Sequence, residues 1–285
     1  MVRHSTQQFA LASDRLGTRR WMWVVLLLLI VAAGIVGAIF VPILSDPRIR
    51  LGDREPFEKN HYSAFAQPWA GADHWLLKHW APQADRISVD LASFPANSEF
   101  GWLWPWAPRG VAVGVWGYNF LSFGQYDGGS DAVAITPRRV RDIQQLRQSF
   151  EWSRSIPLGD ANVLTEFYLR SDPANSESKL IEIGWFLHTP TKTRDFVENG
   201  RQIGIFTDSQ KRQWRVSIDA KYCTLMPLGG GDVPNGTIDM LEAVRWLQTK
   251  NVVPADAWFT GVALGVEPLW GGGTVEVKRW TIDYK

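Results

Sequence analysis

From residue 86 onward the chain alternates apolar and polar positions in short runs, and a period of two predicts strands. The runs are RISVDLASF (86–94), EFGWLWPW (99–106), GVAVGVWGYNFLSF (110–123), NVLTEFYLR (162–170), KLIEIGWFL (179–187), IGIFTD (203–208), QWRVSIDA (213–220), WFTGVALGVE (258–267) and GTVEVKRWTIDY (273–284). Turn-forming clusters separate them: PAN (95–97), DGGSD (127–131), SDPANSES (171–178), LGGGDVPNG (228–236) and WGGG (270–273). This pattern predicts an all-β sandwich or jelly roll. One segment breaks it. In TIDMLEAVRWLQT (237–249), Ile238, Leu241, Val244 and Leu247 recur at helical spacing. Thr237 can cap the first turn and Asp239 suits its dipole, so one amphipathic helix packed on the sandwich is predicted.

A different pattern opens the chain. Residues 21–44 (WMWVVLLLLIVAAGIVGAIFVPIL) carry no charge. At ~1.5 Å per residue they reach across a ~30 Å hydrocarbon core, which predicts a single transmembrane anchor. Ala33-Gly34 and Gly37-Ala38 leave a cleaved signal segment as the alternative. Arg3, Arg15, Arg19 and Arg20 stand against Asp14 before the run, so residues 1–20 are expected in the cytoplasm. The rest of the chain is then periplasmic or extracellular. Residues 45–60 are polar, with Pro47 and Pro56, and read as a linker. Residues 61–285 show no second composition break or repeat and read as one domain.

Composition narrows the function. With 30 Lys+Arg against 29 Asp+Glu the net charge is +1, which argues against a nucleic-acid partner. The single cysteine, Cys223, excludes an internal disulfide and a thiolate zinc cluster, and it reads as a buried small hydrophobe. No histidine spacing points to a metal: His74 and His79 are not at the i, i+4 spacing of a helical pair. The 16 Trp are the outstanding feature.

Strand parity then locates candidate chemistry. In 179–187, Ile181, Ile183, Trp185 and Leu187 share one face; Glu182, Gly184 and Phe186 share the other, with His188 following on that parity. In 258–267, Val262, Leu264 and Val266 oppose Ala263, Gly265 and Glu267, and Trp270 follows before a triple glycine. In 162–170, Leu164, Glu166 and Tyr168 share a face. A carboxylate flanked by small residues and aromatic rings is expected to leave room for a ligand. Two carboxylates with aromatic platforms are what cleavage of a glycosidic bond needs.

These segments resemble glycoside hydrolase family 12, small retaining β-glucanases. The strand IEIGWFL is similar to the family's nucleophile strand, Glu-Ile-Met-Ile-Trp, and GVALGVEPLWGGGTVEV to its Gln-Ala-Gly-x-Glu-Pro-x-x-Gly-Gly segment. TEFYLR falls where the family has Tyr-Asp-x-Trp, and YSAFAQPWAG where it has Tyr-x-x-x-Asn-Asn-x-Trp-Gly. The resemblance implies a concanavalin-like jelly roll and an endo-acting β-1,4-glucanase. It implies Glu182 as nucleophile, Glu267 as acid/base and Glu166 as the supporting carboxyl. The substrate partner would be a β-glucan-class polysaccharide, bound by a monomer without a cofactor. Trp69, Trp102, Trp104, Trp116, Phe186, His188 and Trp270 are the candidate substrate contacts; in WLWPW, alternate rings must be core. The family's Met is Gly184 here, its Trp is Phe186, its Asp is the longer Glu166, and its Asn pair is Ala66 and Gln67. These departures motivate a rival expectation, a non-catalytic glycan-binding sandwich.

Overall fold

The computed structural model describes residues 21–34, 48–69, 85–104, 114–127 and 130–285, in two units, 1–47 and 48–285. Residues 21–34 are helical. The expected cytoplasmic tail 1–20, the remainder of the expected anchor at 35–44, and the His74/His79 pair lie outside the described residues. Among the described residues no helix is long and apolar enough to cross a membrane, which takes ~20 residues.

The second unit is built on two long strands. β8 (Leu146–Arg170) and β15 (Gly261–Tyr284) pair antiparallel over almost their whole length, from Ala263↔Glu166 to Tyr284↔Leu146. Gly159 and Gly271 face each other midway, both at positive φ (86° and 85°). A Cβ on Gly159 would lie 2.1 Å from the Trp270 carbonyl oxygen, so the backbones cross there in a way only glycine permits. The first half of β8 buries every second residue (Leu146, Gln148, Phe150, Trp152), as a strand with one solvated face does. From Ala161 to Phe167 every residue is buried, so this half is covered on both faces.

The other strands extend this pair. They are β1 (Ile49–Leu51), β2 (Phe57–Lys59), β3 (Tyr62–Pro68), β4 (Asp85–Val89), β5 (Ser98–Trp104), β6 (Gly117–Gly124), β7 (Arg138–Arg139), β9 (Lys179–His188), β10 (Arg201–Thr207), β11 (Gln213–Asp219), β12 (Tyr222–Pro227), β13 (Asn235–Asp239) and β14 (Trp258–Phe259). Hydrogen bonding runs β1-β4-β5-β15-β8-β9-β12-β11-β10, with β6 on β15 and β3 on β6. Among the described residues β9–β12 is the only parallel strand pair, with Tyr222 beside Glu182. The main core holds Ile181, Ile183, Trp185, Leu187, Val262, Leu264, Val266, Val163 and Phe167, which are the faces the alternation predicts.

Three features differ from the pattern. The segment read as a linker contains β1 and β2, because Ile49 and Leu51 pair across to Val89 and Ile87 of β4. Among the described residues two α-helices, not one, pack on the domain. α1 (Thr191–Asn199) buries only Thr193 and Val197, a stripe too short to register as a period, and the Gln202 amide donates to the carbonyls of Val197, Glu198 and Gly200 at its end. α2 (Met240–Thr249) starts two residues later than a cap at Thr237 would place it. Thr237 belongs to β13, where its hydroxyl meets Ser149 at 2.9 Å, so it is not the cap. Asp239 is the cap: Oδ1 accepts from the Glu242 backbone N–H at 3.1 Å, and Oδ2 accepts from Arg147 Nε at 2.8 Å.

Asp239→Ala is expected to lower the unfolding free energy by ~1 kcal/mol, measured from the denaturant midpoint at unchanged slope. A loss no larger than that caused by Thr237→Ala would contradict the cap assignment.

Candidate active site

Glu267, Glu166 and Glu182 lie on three neighbouring strands, β15, β8 and β9, all on the face turned away from the main core. Glu166 sits between Ala263 and Gly184. Glu267 is opposite Asn162, and Glu182 is opposite Tyr168. Asn162, Leu164, Glu166 and Tyr168 therefore form one row along β8, with a carboxylate beside each end of it. Glu166 is buried; Glu182 and Glu267 are half-buried.

The three carboxyls are not equivalent. Burial drives Glu166 well above the ordinary carboxyl range, and the charges of Glu182 and Glu267 push it further. Glu166 is thus the neutral member. Its Oε1 accepts from the Tyr126 hydroxyl, and Tyr222 Oη donates to Oε2 at 3.4 Å. Glu182 is raised less: burial pushes it up, but hydrogen bonds from Glu166 and Tyr168, and the charge of Lys179, favour its ionised form. Glu267 is pushed up to about 7 by burial, with the Glu182 charge adding to it and a hydrogen bond from Asn162 opposing it. Asn162 Nδ2 donates to Glu267 Oε2 at 2.9 Å, while Asn162 Oδ1 accepts from the Thr193 hydroxyl of α1 at 2.6 Å. The pair thus offers one carboxyl whose donors and neighbouring lysine favour the anion against burial, and one that titrates near neutrality, two roles set by environment.

The small residues beside the carboxylates do not leave the open space expected from them. A Cβ on Gly184 would come 2.7 Å from Tyr222 Oη, so the β12 tyrosine occupies that volume. A Cβ on Gly265 would come 2.7 Å from the Tyr118 ring. Gly184 thus seats a tyrosine, whereas at Gly265 the nearest atom is the Asn119 backbone oxygen, at 2.3 Å, with the Tyr118 ring next. These rings join Phe120, Tyr126, Leu164, Phe186, Val197, Met226 and Ala263 in a second apolar cluster on the site face.

The expected aromatic platforms divide. Trp102, Trp104 and Trp116 are buried in the main core, which corrects their assignment as sugar platforms. Trp104 and Trp116 stack at 4.2 Å and 6°, and Trp104 Nε1 donates to the buried Asp85 at 2.9 Å. Phe186 is on the expected face but buried, at 6.4 Å from Tyr222. Trp69 and Trp270 remain 39% and 37% exposed. Their backbones are linked through residue 116: the Trp69 N–H donates to the Trp116 carbonyl, and the Trp116 N–H to that of Pro268, both at 2.8 Å. His188 is half-buried, and Nδ1 meets Asp232 Oδ1 at 2.7 Å. Burial holds its pKa below the ordinary histidine value despite Asp232.

Asn162, Tyr126, Tyr222 and Thr193 were not singled out from the sequence. Asn162 shares the parity of Glu166, which was a usable signal; the other three reach the site from separate segments. In Asn162→Ala the opposing hydrogen bond is lost, so Glu267 is expected to titrate above its present value of about 7. Carboxyl absorption in pH-difference infrared spectra, assigned with Glu267→Gln, reads this without turnover. An unmoved or lowered titration would contradict the role of the amide.

No protein-family model and no curated protein matches the sequence. Solved structures do. The chain is similar to a family 12 xyloglucanase from Bacillus licheniformis, at 16% identity and TM-score 0.64 over 83% of this chain and 100% of that one. Endoglucanase 3 of Trichoderma harzianum, from family GH12, matches at 18% and 0.62 over 85% and 99%. Endoglucanase cel12A of Rhodothermus marinus matches at 16% and 0.62 over 83% and 100%. At these identities the likeness establishes the architecture: a β-sandwich with the jelly-roll fold of the family 12 glycoside hydrolases.

Proposed function

We propose that this chain is a retaining glycoside hydrolase acting on β-1,4-linked, glucan-type polysaccharide. The observation that carries the reading is the environment-split carboxyl pair: Glu267 at about 7, and Glu182 held by Glu166 and Tyr168. In this reading Glu182 attacks the anomeric carbon while Glu267 protonates the departing glycosidic oxygen. Glu267, now ionised, takes a proton from water, and the resulting hydroxide equivalent releases the sugar from Glu182. Glu166 stays protonated throughout and donates to Glu182. Tyr126 and Tyr222 hold it in place, and the extra methylene relative to Asp is accommodated because Gly184 leaves Tyr222 its position. Trp69 and Trp270 supply stacking surfaces and His188 a polar contact, while Phe186 forms part of the floor. That the structural neighbours include a xyloglucanase and an endoglucanase supports a glucan as substrate. We further propose that residues 21–44 tether the domain to the plasma membrane on its periplasmic or extracellular side. This rests on the uncharged run and the arginines before it.

Reducing-sugar release is expected from at least one of cellulose, mixed-linkage β-glucan and xyloglucan, with xylan and mannan as contrasts. Glu182→Gln and Glu267→Gln should each lower the rate ~10²-fold or more, and Glu166→Gln less, because its amide still donates to Glu182. The product anomer, followed by NMR, should be β. An unchanged rate in either the Glu182 or the Glu267 variant would sink the assignment. Binding of glucan without turnover would favour the glycan-binding alternative.

A further inference from the structure

Alternation along β9 points Lys179 away from the candidate site. It shares the parity of Ile181 and Ile183, which are buried in the main core. The register of the strand removes that expectation. Tyr168 pairs with Glu182 and Leu169 with Ile181, but Arg170 pairs with Lys179, so Leu180 is left without a partner on β8. An extra residue of this kind bends the strand and re-aims the side chains beyond it. Lys179 thereby comes into line with Arg170, Tyr168 and Glu182, at the Glu182 end of the site row.

Two contacts hold its ammonium there. Lys179 Nζ lies 4.0 Å from the centroid of the Tyr168 ring and 2.5 Å from Asp127 Oδ1. Asp127 follows Tyr126, whose hydroxyl donates to Glu166 and whose ring stacks on Tyr168 at 5.3 Å and 27°. Arg170 fixes the same loop. Its Nη2 donates to the Tyr126 carbonyl at 2.8 Å and its Nε to the Thr260 hydroxyl at 3.3 Å, and Thr260 in turn donates to the Gln125 carbonyl. Before β12, the Lys221 carbonyl accepts from the Glu182 N–H at 2.9 Å, and Lys221 Nζ donates to the Lys179 carbonyl at 3.1 Å.

Resting on the hydrolase reading above, we infer that Lys179 is a positioning residue for the nucleophile, aimed by the bulge at Leu180 and acting through Tyr168, and that Asp127 sets how strongly its charge acts. A cation over the ring of a phenol strengthens the bond which that phenol donates, here to Glu182, and favours the anion that receives it. Asp127 fixes the ammonium and opposes its field. The other charges facing Glu182 have different tasks. Glu166 on β8 stays protonated, and Glu267 on β15 is the acid. Tyr126 and Tyr222 donate to Glu166, and Tyr118 of β6 is kept neutral by burial. Arg170 stands farther from the Tyr168 ring, at 5.6 Å, with its guanidinium committed to backbone carbonyls and Thr260.

The full chain and its variants are titrated by pH-difference infrared spectroscopy, with the Glu182 carboxyl band assigned by Glu182→Gln. Their kcat/KM on mixed-linkage β-glucan is followed against pH. Loss of the ammonium disfavours the anion. In Lys179→Met the Glu182 band should therefore titrate at higher pH, and the acid limb should move up with it, lowering kcat/KM on that limb roughly threefold or more. Asp127→Asn removes the opposing charge and should move both the other way. Lys179→Arg keeps the charge and should stay close to the parent chain. Lys179→Met and Asp127→Asn break the same ion pair, so a merely structural role would change both alike. Shifts in one common direction, or no shift in either, would overturn this inference and leave the hydrolase reading intact. Opposite shifts of the band without turnover of any glucan would sustain the action of Lys179 on Glu182 and overturn the hydrolase reading.

Discussion

The site depends on the register of one half-strand. From Val163 to Arg170, β8 is bonded to β15 or β14 on one side and to β9 on the other, and it is covered on both faces over most of this stretch. A slip of one residue against either neighbour would carry Val163, Phe167 and Leu169 out of the main core and put Glu166 into it. The apolar residues of β8 therefore hold the carboxyls in place as firmly as any contact the carboxyls make themselves. Glu166 lies beside Ala263 and Gly184 because Thr165 and Phe167 are locked against Leu264, Trp185 and Ile183. With that register set, Glu267 and Glu182 fall at opposite ends of the same row.

Within that frame, burial makes the three acids different. All three are raised, but by unequal sets of partners. Glu166 meets two neighbouring carboxylates and the cost of desolvation, so it holds its proton. Glu182 receives donors and a nearby lysine, which favour its anion. Glu267 has one amide, and its balance falls near neutrality. The tyrosines complete this arrangement. Tyr222 takes the volume left by Gly184, and Gly265 lets the β6 backbone at Asn119 and the Tyr118 ring approach, so the small residues serve a tightly packed polar–aromatic floor. α1 links the same floor to the acid through Thr193 and Asn162.

Much of this was legible in the residues. Alternation in KLIEIGWFL, GVALGVE and NVLTEFYLR assigned each residue to the core face or the site face, and the packing agrees at Ile181, Trp185, Leu264 and Phe167. It worked because a strand with a buried face has a side-chain period that cannot drift. α2 was legible for the same reason, though its start was misplaced: Thr237 and Asp239 are both able to cap, and strand pairing with Ser149 decided between them. α1 was invisible because only two of its residues point inward. Trp102, Trp104 and Trp116 were misread because a tryptophan in a strand looks the same whether it stacks on a sugar or fills a core.

The sequence by itself determined the strand class, the face on which each carboxylate lies and the uncharged run at residues 21–44, since these follow from local periodicity and charge. Only the tertiary structure decided which strands became neighbours, that Asn162 meets Glu267, that Tyr126 and Tyr222 converge on Glu166, and that Val197 of α1 enters the apolar cluster on the site face. Those outcomes depend on pairing between segments far apart in the chain, such as Glu267 with Asn162, and on which ring fills which void. No local pattern encodes either.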